Sequence, residues 1–386
     1  MKNRRGPTFR NSMPALAAGL ALTVSACLNI GCRPPETADP AVPLVDVEPA
    51  AVAESPAGDP SSVVATLQST ATAVKLDANG FVIDVDYRGA TIGDETVEQL
   101  SRLTHLRYLK LAGTGITNTG LIEVGKIASL RSLDLRDCAI SGAGIGHLVG
   151  LTQLKALRLS GKSGATDVGD AAMTDIAGLT QLKSLALDCL WVSDQGIASL
   201  APLQNLEELY MAKTLIGDDA LTVLSNFPLL RKLRVSDTQV SSAGLERLAT
   251  LSALEDLDLS ENSLIFDDGL SHLAAMTSLK RLNLWRVAVT DNGIANLAGL
   301  QQLEWLNLDN TRLTDAGLPH LAGLHHLTFL HLGSTAITDA GLTNLESLTT
   351  LRDLKVTRTA VTAAGVAQLK TQLPETKVQL EYIAGD

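Results

Sequence analysis

A pattern of about 24 residues recurs from residue 82 almost to the end of the chain. One clear copy, L-T-F-L-H-L-G-S-T-A-I-T-D-A-G-L, begins at Leu327. The first apolar position of the pattern falls at Val82, Leu106, Leu130, Leu154, Leu182, Leu206, Leu230, Leu254, Leu279, Leu303, Leu327 and Leu351. Such a period indicates a stack of about twelve similar units, whereas a chain of this length without repeats would predict two or three globular domains.

The first half of each unit predicts one short strand. Leu330 and Leu332 alternate with Phe329 and His331, which is the period of a strand. We therefore expect the two leucines to point into the core and the other two side chains to point to the opposite face. Apolar residues make up 45% of the chain and aromatic residues only 3%, so the core must be mainly aliphatic.

The second half of each unit predicts a helical turn packed behind the strand. Thr338 and Asp339 can begin a helix, and Leu342 and Leu345 follow at a spacing of three. A single unit cannot cover its own apolar face, but stacked units can. The sequence therefore predicts an α/β solenoid with parallel strands on one side and short helices on the other.

Small and polar residues also recur at fixed positions. Thr or a substitute follows each strand at Thr114, Cys138, Thr214, Thr238, Asn262, Thr311, Thr335 and Thr359, where short side chains can bond the backbone of a buried turn. Gly recurs at Gly120, Gly144, Gly196, Gly244, Gly293, Gly317, Gly341 and Gly365, which we interpret as close approach of neighbouring helices. Asp recurs at Asp194, Asp218, Asp291, Asp315 and Asp339, which we interpret as helix-start charge. A calcium ladder is disfavoured because Gly142, Ser242 and Ala363 interrupt that row.

The unit L-x-x-L-x-L-x-x-T-x-I-T-D-x-G-L resembles the cysteine-containing class of leucine-rich repeats, with Thr commonly in the Cys position, as in secreted bacterial proteins. The resemblance covers roughly residues 63 to 381. It implies a curved horseshoe with the parallel strands on the concave face and short helices on the convex face, and it implies a protein-binding function.

The N-terminal residues predict export. Residues 1–32 combine a basic start with an apolar stretch and small residues before a cysteine, which is typical of a signal peptide. Cys27 ends a sequence that resembles a bacterial lipobox, and Cys32 is the second candidate for lipidation. An ordinary cleaved signal peptide without lipid is the alternative. We expect a membrane-anchored lipoprotein in the periplasm or at the cell surface, or otherwise a secreted protein.

The remaining boundaries follow from composition. Residues 33–60 are rich in Pro and predict a disordered linker, and 61–81 predict an N-terminal cap. The repeats then occupy 82–373, and 374–386 predict a C-terminal cap. Within the N-terminal cap, Val74 and Leu76 are expected to pair with the strand at Val82.

Charge argues against nucleic acid as a partner. The first 32 residues hold four of the 31 basic residues and no acid, which leaves 27 basic against 42 acidic residues, a net of −15. Binding of nucleic acid needs a basic face. The membrane is therefore expected to be reached only through a lipid anchor.

The candidates for chemistry are weak. Gly161-Lys162-Ser163 has Ala156 where a phosphate-binding loop needs Gly, and the longer unit around it predicts a surface loop. The histidines are separated by the repeat register, so we expect no metal site. Cys138 and Cys189 lie two units apart, about 10 Å, which exceeds disulfide reach, and are expected to be free core thiols. No catalytic constellation is evident, so we expect no enzyme and no cofactor.

The outward strand positions of three consecutive units hold an unusual set of side chains. The candidate binding residues are Trp285, Trp305, Phe329, His331, Arg281, Arg286, Asn307 and Asp309. Aromatic and Arg side chains are common anchors of protein interfaces. The alternative is that these aromatics only cover neighbouring strands. We expect a non-enzymatic module that binds a protein at the cell envelope, with a carbohydrate-binding or structural envelope protein as the alternative.

Overall fold

The computed structural model describes residues 58–381, which form one continuous sheet backed by short helices. The strands are β1 (Ala73–Leu76), β2 (Val82–Asp86), β3 (Tyr108–Lys110), β4 (Ser132–Asp134), β5 (Ala156–Ser160), β6 (Ser184–Asp188), β7 (Glu208–Tyr210), β8 (Lys232–Arg234), β9 (Asp256–Asp258), β10 (Arg281–Asn283), β11 (Trp305–Asn307), β12 (Phe329–His331), β13 (Asp353–Lys355) and β14 (Lys377–Gln379). They lie side by side in sequence order. β1 and β2 are antiparallel, and every later neighbour pair is parallel.

Short helices connect successive strands on the other side of the sheet. The α-helices are α1 (Ser61–Thr70), α2 (Asp94–Glu98), α3 (Asn118–Val124), α4 (Gly142–Ile145), α5 (Asp170–Ala177), α6 (Asp194–Ser199), α7 (Asp218–Leu224), α8 (Leu245–Leu248), α9 (Asp267–Leu273), α10 (Asp291–Ile294), α11 (Asp339–Leu342) and α12 (Ala363–Gln372). Single 3₁₀ turns lie at Gln99–Arg102, Gly146–Leu148, Ala295–Leu297, Leu318–Leu321 and Thr343–Leu345. The predicted α/β solenoid of leucine-rich repeats is confirmed.

The core lies between the sheet and the helices and is built from one leucine-rich layer per repeat. Leu330 and Leu332 are fully buried, while Phe329 and His331, which alternate with them, remain partly accessible. Trp305 pairs with Phe329 across neighbouring strands, 24 residues apart. The predicted strand register is therefore confirmed at these positions.

A tight turn after each strand is closed by the recurring Thr. Thr311 and Thr335 donate their hydroxyl hydrogens to carbonyls three residues back, at 2.7 and 2.6 Å. Asn262 takes the same place and donates to the carbonyls of both Leu259 and Val235, so it also links two repeats. The residue before this position has a left-handed backbone in most repeats, for example φ 57° at Asn310.

The recurring Asp and Gly together form a hydrogen-bonded contact between consecutive repeats. Asp315 accepts hydrogen bonds from the backbone nitrogen and the hydroxyl of Thr338, at 2.8 and 2.6 Å, in the next repeat. A Cβ at Gly341 would lie 2.1 Å from Asp315 Oδ1. The glycine therefore makes room for the carboxylate, so the interpretation of this Asp as helix-start charge alone was incomplete.

The N-terminal end of the described structure is a helix and a hairpin. Val74 pairs with Val85 and Leu76 with Val82, and Leu67 of α1 is fully buried. Asp59, which the sequence placed in the linker, accepts a hydrogen bond from Val82 N at 2.6 Å. The last residues of the predicted linker are therefore tied to the hairpin.

The C-terminal end repeats the pattern once more. Pro374 follows the end of α12, and β14 adds to the sheet in parallel with β13. The predicted signal peptide, Cys27, Cys32 and most of the linker lie outside the described residues, as do residues 382–386. Among the described residues, no helix combines the length and apolar character that a membrane span requires.

The two cysteines of the repeats differ in their surroundings. Both are free, and Cys138 is buried, where its Sγ lies 3.1 Å from the carbonyl of Leu111. Burial raises the pKa of the Cys138 thiol. Cys189 is only half-buried because it occupies the left-handed turn position, at φ 59°. The prediction of a core thiol is correct for Cys138 and wrong for Cys189.

Candidate functional site

The outward side chains of β2–β14, here called the sheet face, change character along the solenoid. From β2 to β10 most charged side chains of this face form ion pairs, either between strands or, for Arg88 and Arg136, with the last residue of the strand that precedes them. These pairs are Lys110 with Asp84 (3.0 Å), Arg88 with Asp86 (2.6 Å), Arg136 with Asp134 (2.7 Å), Lys232 with Glu208 (2.8 Å), Arg234 with Asp188, and Arg281 with Asp256 (3.3 Å). Most charges on this part of the face are thus matched within the protein.

An aromatic stack follows where the ion pairs end. The rings of Trp305 and Phe329 lie 5.0 Å apart and are nearly parallel, with 5° between their planes. The guanidinium of Arg281 lies over the other side of Trp305, 4.4 Å from the ring centroid. His331 meets the edge of the Phe329 ring at 6.4 Å. The parallel register of β10, β11 and β12 sets this order, because equivalent positions stand one strand apart.

Trp285 and Arg286 lie beside this stack but not on a strand. β10 ends at Asn283, so the prediction that Trp285 occupies an outward strand position was wrong by two residues. Arg286 has a left-handed backbone, at φ 57°, and lies over the Trp285 ring at 5.4 Å. It also pairs with Glu261 at 3.0 Å. These two side chains form one wall of a depression next to the stack.

That depression has a volume of about 530 Å³ and is open to solvent. It is lined by Trp285, Arg286, Asn307, Asp309, Asn310, His331, Ser334, Lys355 and Arg358. Five of the eight predicted binding residues therefore line one concavity. The other three, Arg281, Trp305 and Phe329, form the stack beside it.

The floor of the depression is polar. A Cβ added at Gly333 would lie 2.8 Å from both Asp309 Oδ1 and His331 Nε2, and 2.9 Å from Thr357 Oγ1. Asp309 Oδ1 is buried and has no hydrogen-bond partner among the described residues. Glycine at this position thus leaves room for three polar side chains to approach one another, and the buried carboxylate oxygen of Asp309 stays without a partner among the described residues.

The charges around His331 act on its pKa in opposite directions. Burial lowers the pKa of His331 below its ordinary value of 6.5. The neighbouring Asp309 carboxylate raises this pKa in part, and the ammonium of Lys355 lowers it. The imidazole is therefore predominantly neutral near pH 7, and Nε2 can either donate or accept a hydrogen bond.

A second hollow lies on the far side of Phe329. It has a volume of about 360 Å³ and is lined by Phe329, Asp353, Leu354, Lys355, Lys377, Val378 and Gln379. Asp353 pairs with Phe329 across β12 and β13, and its short side chain leaves space beside the ring. Lys355 lines this hollow and the depression described above.

Sequence reasoning missed Lys355, Ser334 and Arg358. Lys355 continues the outward series from Asn307 and His331 at 24-residue steps, so the repeat register could have found it. No aromatic side chain stands at an outward position of the Lys355 unit, so composition gave no signal there.

Trp191 was also missed as a surface feature. It is 68% exposed and lies on the flank of the solenoid, in a row that includes Leu215, which is 45% exposed. Trp191 comes after β6 and the turn at Cys189, so the alternation of residues along the strand gave no signal for it.

The backbone N–H groups of the Gly161-Lys162-Ser163 loop already donate hydrogen bonds within the protein. Gly161 N donates to the carbonyl of Asp188, Lys162 N to Ser160 Oγ, and Ser163 N to Asp137 Oδ1. The exposed loop Lys162–Ala165 is the predicted surface bulge of the long repeat. A phosphate-binding loop needs these donors free, so the geometry does not favour nucleotide binding here. Within residues 58–381, no group of three or more His, Cys, Asp or Glu residues is arranged to hold a metal ion.

Comparison with known proteins agrees with this architecture. A family model described as a leucine-rich repeat matches residues 102–125, 126–148 and 323–345. An internalin from Listeria monocytogenes is similar in structure, with 24% identity and a TM-score of 0.53 over 76% of this chain and 92% of the internalin.

A chain from the Rad7 and Elc1 complex of yeast is also similar, with 20% identity and a TM-score of 0.57 over 74% of this chain and 77% of the yeast chain. Comparison of the sequence with curated proteins gave no match. The protein is therefore built of leucine-rich repeats, and these similarities concern the fold.

Proposed function

We propose that this protein is a non-enzymatic module that binds a protein partner through the Trp305–Phe329 stack and the adjoining depression. The observation that carries the proposal is a change along the sheet face: most charged side chains of β2–β10 form ion pairs, and a half-buried aromatic stack with a polar concavity follows. Aromatic anchors beside a pocket are typical of interface centres.

The fold supports this reading over an enzyme. Leucine-rich repeats present an extended surface rather than an enclosed cleft, and among the described residues no hydrogen bond joins the Ser334 hydroxyl to His331, although both line the depression. The similar yeast chain was crystallised in a complex with another protein, so a solenoid of this kind can present a surface to a partner.

The geometry of the stack argues against carbohydrate as the ligand. A sugar ring binds on a free aromatic face. Trp305 has Arg281 over one face and Phe329 over the other, so only its edge is presented to solvent. Phe329 keeps one face open toward the second hollow, which is too little for a sugar platform of two rings.

Display at the cell envelope is part of the proposal and rests on the N-terminal sequence. The apolar stretch before Cys27 and Cys32 supports export and lipid attachment, and residues 33–57 would serve as the tether. A secreted form without lipid would keep the same binding surface.

The experiment is cross-linking capture from a cell-envelope extract with three forms of the protein: the wild type, Trp305→Ala and Trp191→Ala. Trp191 is the matched control because it is an exposed tryptophan away from the stack. A protein retained by the wild type and by Trp191→Ala, but lost from Trp305→Ala, supports the proposal. Equal retention by all three forms would place the site elsewhere, and specific binding on a glycan array without any protein capture would favour the carbohydrate alternative.

A further inference from the structure

Two lysines at the C-terminal end of the sheet face lack the ion pairs that most cations of the earlier strands make, Arg158 of β5 being an exception among the described residues. Lys110, Lys232, Arg234 and Arg281 each pair with a carboxylate. Within residues 58–381, by contrast, no carboxylate oxygen lies within 4.0 Å of Lys355 Nζ or Lys377 Nζ. In a chain with a net charge of −11, these lysines form a local patch of opposite sign.

Lys355 occupies a central place in this patch. It is half-buried, and on β13 it stands between His331 of β12 and Gln379 of β14. It lines both the depression and the second hollow. Its charge reaches the floor of the depression, because the Lys355 ammonium lowers the pKa of His331.

An apolar surface adjoins the lysines. Phe329, Asp353 and Lys377 are in equivalent positions of three consecutive strands, so about 10 Å separates the strands of Phe329 and Lys377. Asp353 is too short to cover the space between them, and one face of the Phe329 ring borders the hollow of about 360 Å³. An apolar side chain fits against this ring, with room for an anionic group at the ammonium groups.

We infer that the partner presents an acidic segment to this surface, with a carboxylate bound at Lys355 and a neighbouring apolar side chain packed against Phe329. This inference rests on the proposed function and names the chemistry of the partner. A carboxylate at Lys355 makes a charge-assisted hydrogen bond, which is stronger than a neutral one because both partners are ionised. Lys377 adds positive potential beside the second hollow.

Other occupants fit less well. A second copy of the chain carries the same net charge of −11 over its whole length and is repelled at long range, whereas a short acidic segment brings few charges outside the lysines. Nucleic acid requires a basic groove that follows several phosphates, whereas Asp309 and Asp353 stand next to the lysines. A basic segment would match those two acids but would bring its charges against Lys355 and Lys377.

The test is selection of a displayed random peptide library on the immobilised full-length protein. Four forms are used: the wild type, Lys355→Gln, Lys370→Gln and Trp305→Ala. Lys370 is the matched control because it lies on α12, on the helix side, and its replacement causes the same change in net charge. Lys377→Gln is a second variant of the same surface.

We expect the wild type and Lys370→Gln to enrich peptides that combine Asp or Glu with an aromatic or aliphatic residue. Lys355→Gln should lose this acidic preference. A synthetic peptide from the selection should bind Lys355→Gln roughly tenfold more weakly than the wild type, the loss expected for one charge-assisted contact, and its binding should weaken with added salt.

The other outcomes separate this inference from the proposed function. Peptides enriched through Trp305 without acidic preference, or with one that Lys355→Gln retains, would overturn the inference and leave a protein-binding function standing. If the wild type enriches no peptides beyond those that Trp305→Ala enriches, the result would count against both the inference and the proposed function. A labelled mixed-sequence oligonucleotide bound by the wild type, and not by Lys355→Gln, would assign the lysines to nucleic acid and overturn the acidic segment.

Discussion

Asp218 accepts two hydrogen bonds from Ser241 in the next repeat, one from its backbone nitrogen at 2.8 Å and one from its hydroxyl at 2.6 Å. The carboxylate joins two repeats, because Ser241 belongs to the unit after Asp218 and stands before the turn that leads into α8. The same arrangement joins Asp291 to Thr314 and Asp339 to Thr362. Stacking of repeats therefore depends on polar contacts as well as on the leucine core.

Asp218→Ala should destabilise the protein by about 1 to 3 kcal/mol, because it removes a charged acceptor of two hydrogen bonds from a partly buried junction. Asp219→Ala is the matched control, since Asp219 also lies in the first turn of α7 but is exposed. Helix-start charge is common to both residues, so the difference between them isolates the inter-repeat contact. Chemical denaturation measures it, and equal losses in the two variants would reduce the role of Asp218 to helix-start charge.

Gly341→Ala should cost about 1 to 3 kcal/mol, because its Cβ would lie 2.1 Å from Asp315 Oδ1 and would displace the carboxylate from Thr338. Gly323→Ala is the control, because the nearest atom to its Cβ is Gln301 Nε2 at 3.9 Å. That substitution should be nearly neutral or slightly stabilising, since alanine reduces the freedom of the unfolded chain. Comparable destabilisation by both changes would show that the contact with Asp315 is not what fixes this glycine.

Leu330→Ala should cost about 2 to 5 kcal/mol, because Leu330 is fully buried in the repeat core and its removal leaves a cavity. Leu306→Ala should behave in the same way. Asn307→Ala should cost about 1 kcal/mol or less, since Asn307 is half-buried and its side chain accepts one hydrogen bond, from Asp309 N. Thermal and urea unfolding of the three variants test the register, and similar losses at all three positions would contradict it.

The repeat period made much of this fold predictable, because a side chain's position within the unit decides whether it faces the core. The burial of Leu306 and the pairing of Trp305 with Phe329 follow from that period alone. The role of Asp218 could not be predicted from the period, because a periodic sequence does not reveal that an acid contacts the following unit rather than its own helix.

The candidate site was predictable only in part, for a related reason. Trp285 was misplaced because the strand ends at Asn283 and the chain then enters a left-handed turn. The stacking of Arg281 on Trp305 depends on side-chain conformation, which spacing does not fix. The second hollow lies beside the short side chain of Asp353, and Gly333 leaves space between Asp309 and His331. Small residues of this kind carry little signal when one repeat is considered by itself.

Lipid attachment is tested by labelling with a fatty acid in a bacterial host. We expect the wild type to incorporate label and Cys27→Ser to lose it, because Val24-Ser25-Ala26-Cys27 provides the lipobox-like site. Cys32→Ser is the paired variant, and loss of label from it alone would move the site to Cys32. A wild-type protein without label would leave an ordinary cleaved signal peptide as the explanation of the N-terminal sequence.

His331 should make the protein less stable as the pH falls. Its pKa in the folded protein lies below the ordinary 6.5, with burial as the first cause. When the pH drops below 6.5, the unfolded chain takes up a proton on this imidazole before the folded protein does, so the unfolding free energy decreases until the folded pKa is passed. Above 6.5 both states are neutral, and the contribution is fully present.

The measurement is the unfolding free energy of the wild type, His331→Gln and His325→Gln between pH 7 and pH 5, together with an NMR titration of the His331 ring. The wild type and His325→Gln, which removes an exposed imidazole, should lose more stability over this range than His331→Gln. In Lys355→Gln the ring should titrate at a higher pH than in the wild type, because the Lys355 ammonium helps to lower its pKa. A His331 ring that titrates at or above 6.5 in the wild type would contradict a pKa lowered by burial, and would mean that contact with water or the Asp309 carboxylate outweighs it.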